Sequence, residues 1–111
     1  MLNASSFLIK FVVLLHVGML YAQTFTNPVL PGGYPDPSIC KVGDVFYMAN
    51  SSFEYFPGIP IHSSKDLVNW TLIGHGLQRE TQCNGAVNLI DVQPNGGIYA
   101  PTLRYHEGTF Y

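Results

Sequence analysis

Apolar residues in this chain come in short runs, each closed by glycine, proline or small polar residues. No stretch sustains the 3.6-residue apolar period of an amphipathic helix, so the pattern predicts an all-β chain. Residues 39–42 read as a short strand, Gly43-Asp44 as a two-residue turn, and residues 45–50 as the hairpin partner. Ser51-Ser52 then leads into an aromatic cluster, Phe53-Glu54-Tyr55-Phe56, ended by Pro57-Gly58. Residues 59–63 form a third strand, which Pro60 demotes to an edge or irregular one. Residues 64–70 are a turn, 71–74 a fourth strand, and 78–88 a polar loop. After Gly96-Gly97 the chain resumes with a strand at 102–106, a turn at Glu107-Gly108, and the opening of a partner at 109–111.

Four short strands with turns between them make about one blade of a β-propeller. A second blade starts near Ile98. A lone blade has open edges and one-sided packing, so it is stable only among neighbours. The expectation is therefore the amino-terminal part of a longer protein.

Composition changes this picture in three ways. Residues 1–22 read as a secretory signal. An apolar run from Phe11 to Leu20 follows Lys10, and Leu20-Tyr21-Ala22 offers a small residue at a cleavage point. His16 interrupts the run, which is shorter than the roughly 20 apolar residues of a membrane span. An uncleaved anchor is the alternative, but the reading is export: a secreted protein, or a periplasmic one in a bacterium. Without Lys10, the formal charge goes from −2 for the whole chain to −3 for residues 23–111. There is no basic patch to hold nucleic acid. Seven Phe, seven Tyr and one Trp, with few charges, suit strands and core; flat rings also stack on the C–H faces of sugars.

Cys40 and Cys83 make neither a disulfide framework nor a metal spacing, and Cys40 reads as a buried strand thiol. Asn50-Ser51-Ser52 and Asn69-Trp70-Thr71 are glycosylation sequons, the first unusable if Asn50 is buried.

The candidate chemistry lies in Gly33-Tyr34-Pro35-Asp36-Pro37-Ser38, which sets an acid between two prolines. Proline fixes its own φ and pushes the residue before it towards extended geometry. Asp36 is thus expected to be held in one direction, as a carboxylate facing a substrate must be. A turn closed by the aspartate side chain is the plainer alternative.

Five pieces in order resemble glycoside hydrolase family 43, of the β-xylosidase and α-L-arabinofuranosidase type. They are Asn27-Pro28-Val29-Leu30, Pro35-Asp36-Pro37-Ser38-Ile39-Cys40, Phe53-Glu54-Tyr55-Phe56-Pro57-Gly58-Ile59, residues 62–70, and Gly96-Gly97-Ile98-Tyr99-Ala100-Pro101-Thr102. The resemblance implies a five-bladed β-propeller, of which residues 23–111 are the first blade and the start of the second. It implies hydrolysis of xylosides or arabinosides of plant hemicellulose with inversion, and an oligosaccharide or polysaccharide as partner. Asp36 takes the position of the general base. The acid and a third carboxylate lie on later blades of the family fold, so these residues alone are expected to be inactive. Phe53 takes a wall of the sugar pocket, and Glu54 lies in a motif that reaches it. Tyr99 stands where many relatives carry Trp, which bears on the sugar preferred.

Asp44 and Glu107 read as solvated turn acids, Asp66 as a local cap, and Asp91 carries no assignment. His62, His75 and His106 lack metal-ligand spacing. No cofactor is implied; some family members hold a central calcium ion, for which no ligand set is visible in this sequence. A secreted sugar-binding propeller without catalysis is the alternative function, and a non-functional truncated product a third reading.

Overall fold

The computed structural model describes residues 24–82, 89 and 91–111. The proposed signal and Cys83 lie outside them.

Four strands make one antiparallel sheet in chain order. They are β1 (Ser38–Val42), β2 (Val45–Ala49), β3 (Gly58–Ser64) and β4 (Thr71–Leu77). A second hairpin follows, β5 (Tyr105–His106) and β6 (Thr109–Phe110). Both predicted two-residue turns are present. Gly43 has φ +58°, which suits a hairpin turn with glycine in its first central place. Glu107 and Gly108 both have positive φ.

The third strand is irregular, its register against β4 shifting between Ile61 and His62, but it is not at an edge. β3 lies between β2 and β4, and Pro60 is paired with His75. Its ring is tolerated because β2 ends there: the last pair is Ala49 with Ile61. The Pro60 carbonyl still accepts the Asn50 N–H at 3.3 Å, so only the bond that its nitrogen would donate at the end of β2 is lost. β4 extends past the expected residue 74 to Leu77. Gly74 and Gly76 carry no strand propensity of their own, and pairing with β3 imposes the extension.

Directly opposed residues share a face of the sheet. Met48 is opposed by Ile39 and His62, so those three lie on one face. That face packs on the lead-in: Ile39 and Met48 line an apolar cleft of about 450 Å³ with Val29, Leu30, Tyr34 and Trp70. Ser38, Cys40 and Tyr47 point the other way. There the Ser38 hydroxyl accepts the Leu103 N–H at 2.9 Å, and the Tyr47 ring meets Phe110 edge-on at 4.8 Å. The second hairpin thus packs against one face of the first sheet, as a neighbouring blade would. Cys40 is a free, half-buried strand thiol rather than a fully buried one.

Candidate functional site

Among the described residues the buried hydrophobic side chains are few: Met48, Ala49, Ile98 and Leu103. Asn50, Ser51 and Ser52 are buried beside them, directly after β2. Three consecutive polar residues in the interior need partners: Asn50 and Ser51 tie residues 34–36, and Ser52 ties Ile98 and Ile59. The Asn50 side-chain amide donates to the carbonyls of Tyr34 (2.7 Å) and Pro35 (3.1 Å). The Ser51 N–H donates to the Pro35 carbonyl at 3.2 Å, and its hydroxyl donates to Asp36 Oδ2 at 2.6 Å. The Ser52 N–H donates to the Ile98 carbonyl at 3.1 Å, while its hydroxyl accepts from Ile59 N–H. With both amide hydrogens engaged and no exposure, Asn50 is closed as a sequon. Asn69 is exposed, its amide donating to Asp66 at 2.7 Å.

Asp36 is exposed, with φ +52°. This is not the extended geometry that the following proline favours. The bonds from Asn50 and Ser51 to Tyr34, Pro35 and the Asp36 carboxylate override that local preference. Phe53, two residues beyond Ser51, also has positive φ, +47°. It is uncommon for an aromatic residue to be held there, and such positions gather at functional sites. Phe53 and Ile98 exchange two backbone hydrogen bonds, at 2.8 and 2.9 Å. Gly97 permits this: its φ is +93°, and a Cβ there would collide with the Phe53 carbonyl. The pairing sets Tyr99 beside Phe53, ring centroids 6.1 Å apart and planes at 80°. Tyr34, Pro35, Ser51, Ser52, Phe53 and Tyr55 line an open cleft of about 530 Å³. Ser51, which holds Asp36, is therefore part of its wall.

The structure thus brings Asp36, Phe53 and Tyr99 into one region, linked through Ser51 and the Phe53–Ile98 bridge. Glu54, like Asp36 and Tyr99, is not among the residues that line the cleft; its Oε2 is buried without a hydrogen-bond partner among the described residues. Asp44 is exposed in its turn, and Glu107 is exposed beside His106 at 3.7 Å. Asp66 caps its own turn: Oδ1 accepts from Ser64 Oγ and from the N–H groups of Val68 and Asn69, and Oδ2 from the Asn69 amide. The Asn69 side chain first, then the backbone N–H groups, hold its carboxyl well below the usual range.

His62 is buried under the loop, its ring 4.7 Å from Tyr34 and edge-on to it. Burial, and then the nearby His75, push its pKa down. Among the described residues no group of three or more His, Cys, Asp or Glu side chains comes together to hold a metal ion.

Comparison with known proteins decides the family. The sequence profile of glycosyl hydrolases family 43 matches residues 25–111. The chain belongs to that family. It is 55% identical over 97 residues to a non-reducing end alpha-L-arabinofuranosidase of Bacteroides ovatus, covering 83% of this chain and 17% of that protein. It is 54% identical over 87 residues to a beta-xylosidase of Bacillus subtilis, covering 78% and 15%. A solved family 43 protein of Bacillus licheniformis superposes with a TM-score of 0.71 at 52% identity, over 79% of this chain and 16% of the other. The chain spans about a sixth of the length of these family 43 relatives. At that likeness its sheet is a propeller blade of the family 43 fold, with the second hairpin beginning the next.

Sequence reasoning missed Ser51 and read Asn50 only as a sequon. A signal was there: three small polar residues follow an apolar strand with no glycine or proline to turn them out to solvent. Polar residues in a stretch that cannot leave the interior must be bonding to something.

Proposed function

We propose that this segment supplies the general base of a glycosidase that removes xylose or arabinose units from plant hemicellulose with inversion. Asp36 carries that role. The supporting observation is a carboxylate held by a buried hydroxyl at 2.6 Å, on a backbone at positive φ, beside an aromatic-walled cleft. The arabinofuranosidase and xylosidase relatives support the substrate class.

The chemistry follows from inversion. Asp36, ionised, takes a proton from the water that attacks the anomeric carbon. A protonated carboxyl on a later blade gives its proton to the leaving oxygen from the other side. The two stand roughly 6.5–9.5 Å apart, with the water between. Asp44, Asp66 and Glu107 do not suit the second role. Asp66 is saturated with donors, and Asp44 and Glu107 are solvated turn acids. Phe53 and Tyr99 offer ring faces to the sugar, and Tyr99, smaller than tryptophan and bearing a hydroxyl, tunes which sugar fits. Residues 1–22 direct export, which places the enzyme where polysaccharide is.

The test uses a protein of full family length carrying this segment, with aryl β-xyloside and aryl α-arabinofuranoside as substrates. Asp36→Ala should lower kcat by about 10²–10⁴-fold, the range for a lost general base. Azide, a small anionic nucleophile needing no base, should restore turnover and give the inverted glycosyl azide. An Asp36→Ala enzyme as fast as wild type would sink the assignment. Sugar binding without any turnover in the unsubstituted protein would instead favour a binding propeller.

A further inference from the structure

We propose that Ser51 is a positioning residue for this reaction, selecting which oxygen of Asp36 receives the proton. The proposal rests on Asp36 being the base.

A carboxylate offers two equivalent oxygens, and its terminal torsion is broad and two-fold. An exposed aspartate on a loop would sample orientations in which neither oxygen faces the attacking water. At Asp36 one oxygen is taken. Ser51 Oγ donates to Oδ2 at 2.6 Å, the length of a hydrogen bond to an ionised acceptor. The other oxygen accepts no hydrogen bond among the described residues. The donor itself cannot wander. Ser51 is 1% exposed, and its own N–H is bonded to the carbonyl of Pro35, the residue before the aspartate. Asn50 grips Tyr34 and Pro35 from the same strand end. Hydroxyl and carboxylate therefore ride on one rigid frame. The bond to Oδ2 fixes the plane of the carboxylate and makes that oxygen the poorer proton acceptor, leaving Oδ1 as the base.

The division of labour between neighbours separates positioning from plain folding. Asn50 holds the loop backbone, and the Ser51 N–H adds to it. Among the described residues the Ser51 hydroxyl hydrogen-bonds only the reacting group. Ser51→Ala leaves every backbone bond of the loop in place, so the protein should still fold.

In a protein of full family length carrying this segment, Ser51→Ala should lower kcat by about ten- to hundredfold, the loss expected for one hydrogen bond to a charged group. KM should move less than kcat, because the hydroxyl of Ser51, although the residue lies in the cleft wall, is bonded to the reacting carboxylate. Ser51→Thr, which keeps the hydroxyl, should recover most of the rate. The deciding measurement is made in the Asp36→Ala background with azide-restored turnover: adding Ser51→Ala should change nothing further, because the group it acts through is gone. A Ser51→Ala enzyme within twofold of wild type, or an equal loss in both backgrounds, overturns the proposal. A fully active Asp36→Ala enzyme removes both this proposal and the base assignment. An inactive Asp36→Ala enzyme beside an unaffected Ser51→Ala enzyme removes only this one.

Discussion

Two aspartates in this blade are held by a serine hydroxyl and differ in everything else. Asp66 accepts four hydrogen bonds within its own turn, and both oxygens are used. Its donors come from residues two or three positions away. Asp36 accepts from Ser51, fifteen residues away in the chain. A carboxylate saturated by local donors is a structural cap, and protonating it costs the turn its bonds. A carboxylate held through one oxygen by a distant donor is oriented and still able to take a proton. Number and origin of donors, not residue type, separate the two roles.

The widest gap between the two should appear in activity. In a protein of full family length, Asp36→Asn should reduce kcat by about 10³-fold, within the range for general-base loss, while the thermal midpoint stays nearly unchanged. Asp66→Asn should do the reverse, lowering the midpoint and leaving kcat alone. Steady-state kinetics and a melting curve on both variants check this. If Asp66→Asn abolished turnover in a folded protein, the distinction would collapse.

The next largest effect tests the cleft beside Asp36. Gly97→Ala should cost about 1–2 kcal/mol from the left-handed backbone alone, and the collision with the Phe53 carbonyl adds to it. Parting Phe53 from Ile98 displaces Tyr99, so KM should rise more than kcat falls. Unaltered KM together with unaltered stability would show that the bridge does not shape the cleft.

Smaller effects separate the two regions by pH. Asp66 has its folded pKa below its ordinary value of 3.8. Its contribution is therefore complete above about that pH and is lost as pH falls towards the folded value. The stability difference between wild type and Asp66→Asn should shrink on acidification in that window. As the group is exposed, added salt should weaken the difference further. His62 acts earlier. Its pKa is lowered from 6.5 by burial and by His75, so below about pH 6.5 the unfolded chain binds the proton more readily. Destabilisation grows from there as pH falls to the folded pKa, and then levels off. Urea titrations between pH 7 and pH 5 should show this in wild type and less of it in His62→Phe. An equal acid slope in both would exclude His62 as the source.

Much of the blade was legible because turns and strand alternation are local. Gly43-Asp44 and Glu107-Gly108 turn where expected, and β1 and β2 lie within a residue of the predicted runs. The position of β3 was not legible. Pro60 argues against a central strand by its missing N–H, and only the end of β2 at Ala49 shows that a single bond at the strand end is lost. The length of β4 was hidden for the same kind of reason, since its glycines take their strand geometry from β3.

At the candidate site, the family resemblance pointed to Asp36, Phe53, Glu54 and Tyr99. The geometry joins Asp36, Phe53 and Tyr99 through Ser51 and Ile98; of the four candidates only Phe53 lines the cleft itself.

What the sequence by itself determined was the hairpin pattern, the ordered family motifs, and an acid flanked by two prolines. Those features depend on near neighbours, through φ restriction, turn chemistry and strand alternation. Only the tertiary structure decided the conformation of Asp36, and it set aside the extended geometry that Pro37 alone favours. The clamp from Asn50 and Ser51 reaches across fifteen and sixteen residues of chain. A bond of that span needs the pairing of β1 with β2, which sets the end of one strand beside the loop that precedes the other.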